Sequence, residues 1–489
     1  MTAAELSLGA VVLAPLLAAA LAAALPHTAR RALGVGIAAL VLLLTGLLAV
    51  QTVAGEVTEL ALGGYPAPLG IHLRADGLSV LFLGMTALVG AVVTVFAAAS
   101  RHTHQAFWTL WLGCWAGLNA VFVSGDLFNT YVGLELVGLT AVALVALGGR
   151  GSWAPALRYL FIAVLGSLLL LVGVGLIVSV TGTLDVVQAA EVLAGRPDAA
   201  PAALLALTLI TVGLCMKLAL LPMHAWLVPA HASAPSAVSP LLSGLVIKAA
   251  LFVLLRCWLW LTDSSGALSA LAPLAWGLGA FGAAAVLIGS VMALRQSALK
   301  PLAAYSTVAQ VGYWFVAFPL LLEEDAAEGA FIGIVALALG HGIAKAGLFL
   351  GAGYLKEAYG TDEIEQLRGA GRQHPYAVMG MSLGLVGLIG LPISLGFTGK
   401  WNIATAAVAA EHWWILVLLA AGTLLSAGYA VRALAPLLLQ ESPTPGEARI
   451  SRNYRSVPGL CVIGLGALTL VTGFGGVLIA EALEVGAPW

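Results

Sequence analysis

Six ionisable side chains stand inside long apolar runs of the chain: Glu135, Lys217, Lys248, His341, Lys345 and Lys400. Placing Lys, Asp or Glu at the middle of a membrane-crossing helix costs roughly 2.5–3.5 kcal/mol on insertion scales. Any one of them alone reads as well as a structural charge, in an ion pair or on a lysine reaching along its own stem to the interface, as it does as a functional group. Six on five segments need another account, because only Glu135 among them can neutralise a lysine. The remaining ammonium groups must be hydrated or must titrate. Burial weakens a lysine's hold on its proton, and a neighbouring carboxylate restores it. Groups poised in this way take up and release protons, and a row of them across a membrane is the chemistry of a proton path. His341 and Lys345 are four residues apart, which puts them on one face of a helix.

Two helix breaks accompany these charges. Pro222 lies five residues after Lys217 and lacks the N–H that would engage the carbonyl of Leu218. Pro392, between Gly390 and Gly396, does the same for Leu388, and Lys400 lies just beyond. Discontinuous helices in corresponding halves of a transporter point to an ion site. His224 and His231 flank the first break. As a metal pair they lack a third ligand, so hydrogen bonding or proton relay is the expectation, with Lys300 as a further candidate relay. No metal or cofactor is expected. Cys114, Cys215, Cys257 and Cys461 stand singly in apolar segments and read as packing residues. Gly-Phe-Thr-Gly-Lys-Trp ends like a phosphate loop without its first glycine spacing or its final Ser/Thr. Gly173 and Gly175 lie in an apolar helix with no strand before them, so neither motif predicts nucleotide binding.

These residues need a scaffold, and the composition defines it. Of 489 residues, 61% are hydrophobic and 9% charged, against roughly 25% charged in soluble domains. Apolar runs near the length needed to cross a bilayer recur from end to end. An all-α polytopic membrane protein follows, with a net charge of −2 that offers no basic footprint for nucleic acid. Transmembrane barrels, with alternating strands of about ten residues, are excluded. Fourteen segments are expected, at 7–25, 33–52, 77–99, 106–123, 127–147, 157–180, 202–223, 238–261, 269–293, 299–319, 328–354, 376–400, 412–436 and 457–481. They form a single membrane domain over 1–489, with segments 7 and 12 broken. Segments 4–8 (about 106–261) and 9–13 (about 269–436) read as two inverted five-helix repeats. Trp108, Trp111, Trp413 and Trp414 lie near segment ends as expected interfacial anchors.

Orientation comes from the basic residues. Odd-numbered connections hold Arg30, Arg31, Arg101, Arg150, Arg158, Arg295, Lys300, Lys356, Arg368, Arg372, Arg432, Arg449, Arg452 and Arg455. Even-numbered ones hold mainly Arg74 and Arg196 beside Glu56, Glu59, Asp185, Glu191, Glu323, Glu324 and Asp325. Basic connections stay in the cytoplasm, so both termini are expected on the outer, periplasmic side of a bacterial cell membrane. The amino terminus lacks the basic start of a cleavable signal, and its first apolar run reads as a retained helix.

At these residues the chain resembles a known family. Asp-Leu-Phe-Asn-Thr-Tyr-Val-Gly-Leu-Glu (126–135), the stretch from Lys217 to Lys248, Leu-Lys-Pro-Leu-Ala-Ala-Tyr-Ser-Thr-Val-Ala-Gln-Val-Gly-Tyr (299–313), His341 with Lys345, and Gly-Leu-Pro-Ile-Ser-Leu-Gly-Phe-Thr-Gly-Lys-Trp (390–401) resemble, in order, the signatures of the proton-translocating antiporter family. That family includes antiporter-like subunits of respiratory complex I, membrane-bound hydrogenases and Mrp-type sodium/proton antiporters. Its D-type Mrp subunits are the most similar branch, by length and by the stretch 63–71. The resemblance implies that Glu135 and Lys217 form a gating charge pair, that Lys248 is the central relay, that His341 and Lys345 continue it and that Lys400 is the exit group. It also implies fourteen helices with inverted repeats. Two departures stand out. Val228 and Pro229 replace the family's aspartate-bearing turn, and Ala298-Leu299-Lys300-Pro301 lacks two charges of the usual Asp-Leu-Lys-Arg.

The reading favoured is a proton-translocating subunit of a multisubunit monovalent cation (Na⁺)/proton antiporter, working with other membrane subunits. One rival is a proton-pumping subunit of a complex I-like NADH:quinone oxidoreductase or hydrogenase, carrying no redox group itself. Another is a membrane scaffold whose charges only hold helices together. No carboxylate cluster suited to Na⁺ is visible in this chain, so the sequence leaves open whether sodium crosses here or in a partner subunit.

Overall fold

The computed structural model describes residues 2–65, 70–100, 102–261, 268–439 and 457–488. Two helices open it, α1 (Ala3–Ala24) and α2 (His27–Val53). A short antiparallel hairpin follows, β1 (Thr58–Ala61) on β2 (His72–Ala75), with Glu59 opposite Arg74. Next come α3 (Gly77–Ala99), α4 (Phe107–Phe122), α5 (Leu127–Ala146), α6 (Arg150–Thr181), the short α7 (Val186–Ala194) and α8 (Ala200–Lys217). Beyond a break lie α9 (Leu227–Ser233) and α10 (Val238–Leu241), which continues through a π-helical turn at Leu242–Val246 into α11 (Ile247–Leu261). The rest holds α12 (Leu268–Leu294), α13 (Leu299–Val316), α14 (Ala327–Tyr359), the single turn α15 (Ala370–Gln373), α16 (Pro375–Ile389), α17 (Leu395–Ala409), α18 (Trp413–Leu439), α19 (Val457–Val471) and α20 (Gly476–Glu484).

Among the described residues, twelve helical stretches are long and apolar enough to cross a membrane, and Phe107–Phe122 and Pro375–Ile389 are shorter apolar helices. Together they fall on the fourteen expected segments. The boundaries differ in informative places. The sixth helix starts at Arg150 rather than 157, directly after Gly149, whose φ of 88° is non-helical, and it takes Pro155 into its interior. The twelfth segment is two helices, and its second half runs past Lys400 to Ala409. The hairpin and α7 are additions that apolar length alone does not reveal.

Several helix starts carry polar caps. Asp76, Asp126, Asp185 and Ser394 accept backbone N–H bonds at the heads of α3, α5, α7 and α17. Gly182, Gly360 and Gly390 turn left-handed after α6, α14 and α16. Packing relies on small residues, as it must where lipid is as apolar as the helices. A Cβ on Gly166 would lie 2.6 Å from the Gly213 carbonyl, and one on Gly213 would lie 2.4 Å from that of Gly166, locking α6 to α8. Gly282 and Gly312 join α12 to α13 in the same reciprocal way.

The centre of the bundle is α10–α11, α13 and α14, whose most apolar stretches are almost wholly buried. Trp108 and Trp111 belong to this interior, contrary to the expectation of interfacial anchors. Both are fully buried, and the Trp111 indole donates to Thr94 Oγ1 at 2.8 Å while stacking on Trp115. Trp413 is exposed. The four cysteines are buried and unbridged.

Successive connections alternate between the two ends. At one end β2 bridges Ser124, Asp126 bridges Asp185, and Val485 and Gly486 accept bonds from Gly77 and Arg74. At the other, Leu299 N–H donates to Asp362 O at 2.8 Å and Lys356 pairs with Asp362 at 2.9 Å. Among the described residues, even-numbered connections share the first end and odd-numbered ones the second. Arg101, Arg449, Arg452, Arg455 and part of the stretch 63–71 lie outside the described residues.

Candidate functional site

The first charge pair joins the middle of α5 to the last residue of α8. Lys217 Nζ lies 3.4 Å from Glu135 Oε1, and Ser167 of α6 donates its hydroxyl to the same oxygen. Lys217 occupies this place because α8 ends there. Leu218 caps the helix, Ala219 takes a left-handed φ of 55°, and Leu221–Pro222 is a cis bond. The break therefore begins four residues before Pro222, earlier than the proline alone dictates. Trp226 seals it by donating its indole N–H to Met216 O at 3.0 Å and stacking on Tyr159 at 4.1 Å.

Lys248 lies in the fully buried centre. Its Nζ donates to Ser243 O at 2.6 Å, a carbonyl in the π-helical turn, and lies 2.5 Å from His341 Nδ1. π-Helical turns displace backbone hydrogen bonds and are frequent at functional sites. Trp314 stands edge-on to His341 and 5.4 Å from the ammonium. One turn along α14, Lys345 donates to Ala303 O at 2.7 Å and to Ser306 Oγ. None of Lys248, Lys345 and Lys400 forms an ion pair with an acidic group among the described residues. Carbonyls, hydroxyls and a histidine hold them instead. Such a cage accepts hydrogen bonds without fixing the charge.

The second break supplies the last lysine. Lys400 of α17 donates to Ile389 O at 2.8 Å and to Thr423 Oγ1 at 2.9 Å, beneath the Tyr313 ring at 4.5 Å. Leu388 O, the carbonyl that Pro392 was expected to free, accepts from the Gln310 amide at 3.0 Å. Between Ser306 and Lys400 lie the buried hydroxyls of Tyr313, Ser426 and Tyr429, close enough to interact yet in no well-formed hydrogen bond. A polar lane therefore runs from Lys345 along α13 and α18 to Lys400. No hydrogen bond among the described residues joins Lys217 to Lys248.

The three candidate relays divide. Lys300, buried, donates to Ala234 O at 2.7 Å and lines a cavity of about 460 Å³ at the odd-numbered end, with His102, His104, Ser236, Lys356 and Glu357. His231 is fully buried with neither ring nitrogen hydrogen-bonded, and stacks on Phe349 at 4.7 Å. Lys345 lies 6.0 Å from the same Phe349 ring, so His231 and Lys300 sit between the cavity and the lysine row. His224 stays at the first break, half-buried and away from both. Among the described residues no cluster of three His, Cys, Asp or Glu suits a metal.

One buried ion cluster escaped the sequence reading. Arg256 of α11 grips Asp76 through both amino groups and donates to Ser79 Oγ at 3.0 Å. Arg74 links Asp76 to Glu59, and His72 Nδ1 lies 3.0 Å from Asp185 Oδ2. Arg256 stands in an apolar run like the six residues above, so the same test of a charge among apolar neighbours finds it. The polar lane residues carry no such signal, because Ser, Thr and Tyr are common in membrane helices.

A sequence family described as NADH:quinone oxidoreductase/Mrp antiporter, transmembrane, matches residues 124–426, more than half of the chain. The chain belongs to this family. Every residue of the row lies within the matched span. The N-type subunit of NADH-quinone oxidoreductase from Desulforudis audaxviator is 33% identical, over 92% of each chain. The D-type subunit of the Na⁺/H⁺ antiporter from Alkalihalophilus pseudofirmus is 28% identical, over 92% of this chain and 89% of its own. A chain in the structure of the Mrp complex from Dietzia sp. shares the fold, with a TM-score of 0.82, 24% identity and coverage of 99% and 97%. The protein is thus a multi-pass antiporter-like subunit of the kind that Mrp and complex I-like assemblies contain, and it acts among membrane partner subunits.

Proposed function

We propose that this chain is the proton-translocating subunit of a multisubunit monovalent cation (Na⁺)/proton antiporter. Protons move along Glu135 and Lys217, Lys248 and His341, Lys345, and Lys400. The observation that carries this reading is the Lys248–His341 contact of 2.5 Å in a fully buried, carboxylate-free centre. A lysine and a histidine in hydrogen-bond contact there are placed to pass a proton between them. Glu135 sets the charge state of Lys217 and so gates the row, and Lys400 is its exit. Lys300 and His231 link the cavity at the odd-numbered end to Lys345.

The orientation belongs to the same proposal. Basic odd-numbered connections face the cytoplasm and both termini face outward, a reading supported by the charge asymmetry of the loops. Two inverted five-helix units, 4–8 and 9–13, are part of it too. Their support lies in matched packing: Gly117 and Gly133 approach reciprocally between α4 and α5, as Gly282 and Gly312 do between α12 and α13.

The redox-driven reading draws on one specific observation, the higher identity to an oxidoreductase relative, 33% against 28%. Vesicles containing the whole complex separate the two. With a preset proton gradient followed by a pH-sensitive dye, added Na⁺ or K⁺ is expected to trigger proton efflux. If neither cation does so while NADH or another reductant builds a gradient, the redox-driven pump replaces the antiporter.

A further inference from the structure

Three phenylalanines lie between the buried lysine row and the outer ion cluster. Phe82 of α3, Phe122 of α4 and Phe252 of α11 are each at most 1% exposed. Their ring centroids are 5.5, 5.4 and 5.2 Å apart, so each ring touches the other two. Lys248, Phe252 and Arg256 follow one another at four-residue steps on α11, which spans about 12 Å along the axis.

The neighbouring helix repeats the layering. On α3, Asp76 and Ser79 hold Arg256. Phe82 comes next, and one turn deeper Met85 packs on Gly342, where a Cβ would lie 2.4 Å from its sulfur. Gly342 adjoins His341, so α3 also passes from the ion cluster, through one aromatic layer, to the level of the row. On the outer side Phe252 meets Arg256, whose guanidinium carbon lies 5.0 Å from the ring. There it also floors a small cavity lined by Ser124, Asp126, Thr130 and Arg256. From this cluster, Glu59 and His72 reach the surface.

Polar groups thus approach one dry layer from both sides. Hydrophobic constrictions block ions and protons by excluding water. Resting on the proton path proposed above, we infer that Phe82, Phe122 and Phe252 form a seal that denies Lys248 a direct outlet to the outer face. A proton on Lys248 is then committed to the lateral lane through His341 and Lys345 to Lys400. The three rings act on the path by position and exchange no proton themselves.

The test uses vesicles of the whole complex, holding a proton gradient with no coupling cation and no reductant. Wild type and Phe252→Leu are expected to hold the gradient, since leucine keeps the layer dry. Phe252→Ser is expected to dissipate it at least about tenfold faster. That leak should persist in Phe252→Ser/Lys400→Ala and vanish in Phe252→Ser/Lys248→Ala. An assembled Phe252→Ser complex as tight as wild type overturns the seal, as does a leak that survives Lys248→Ala. If Phe252→Ser fails to assemble, Phe82→Ser is judged by the same outcomes, and Phe122→Ser by them again if Phe82→Ser also fails. The path itself fails separately, if Lys248→Ala alone keeps wild-type coupled flux.

Discussion

Glu135 and Lys217 differ from the rest of the row in having each other. At 3.4 Å, with Lys217 itself largely buried, the Glu135 charge acts directly on the lysine, and the Ser167 hydroxyl holds the carboxylate in place. Neutralising a partner within about 4–6 Å changes a group's proton affinity by roughly tenfold to a thousandfold. Glu135→Gln, which keeps the shape, is therefore expected to lower proton flux about tenfold or more, with the protein still in the membrane. Wild-type flux with normal protein levels would break the assigned pair. These residues were legible in the sequence because a charge in hydrocarbon is expensive and must be explained. The hydroxyls of Tyr313, Ser426 and Tyr429 were not, because each is individually ordinary and only the packing of α13 on α18 brings them together.

At the scale of elements, the β1–β2 hairpin is held by titratable groups. The hydrogen bond that His72 donates to Asp185, with Glu59 nearby, holds the imidazole above its ordinary value of 6.5, against burial and Arg74. Burial works to raise the Asp185 carboxyl, but His72 and the N–H groups of Gln188 and Val187 outweigh it and hold it below the usual range. A raised histidine contributes stability that is complete below pH 6.5 and is lost as pH rises through its raised value. The depressed carboxylate contributes above its ordinary 3.8 and loses that only as pH falls through its lowered value. The clasp between β2 and α7 therefore loosens on the alkaline side. An imidazole NMR titration of the whole complex should place His72 above 6.5, with a lower midpoint in Asp185→Asn. An unchanged midpoint would contradict the clasp. The hairpin was not legible because its four-residue strands lie in a connection with no apolar period. The helix breaks were legible in place but not in extent. Lys217, not Pro222, ends α8, because the chain must turn early for Trp226 to reach Met216 O.

For the whole molecule, apolar length located each of the long apolar helices among the described residues, since bilayer thickness leaves few alternatives. It misjudged Trp108 and Trp111, because segment-end position says nothing about which neighbours will cover a side chain. The arrangement that emerges is a bundle whose best-buried helices, α11, α13 and α14, carry its least soluble cargo of charge. A mere scaffold would pair those charges. Here Lys248, Lys345 and Lys400 rest on carbonyls, hydroxyls and a histidine, with both helix breaks opening onto the row. The most direct test of that claim is Lys248→Ala in vesicles of the assembled complex, with cation-triggered proton flux read by a pH-sensitive dye. A row that conducts through Lys248 predicts flux at the background of empty vesicles, with all partner subunits retained. Flux equal to wild type, or loss of the partner subunits instead of transport, would contradict it.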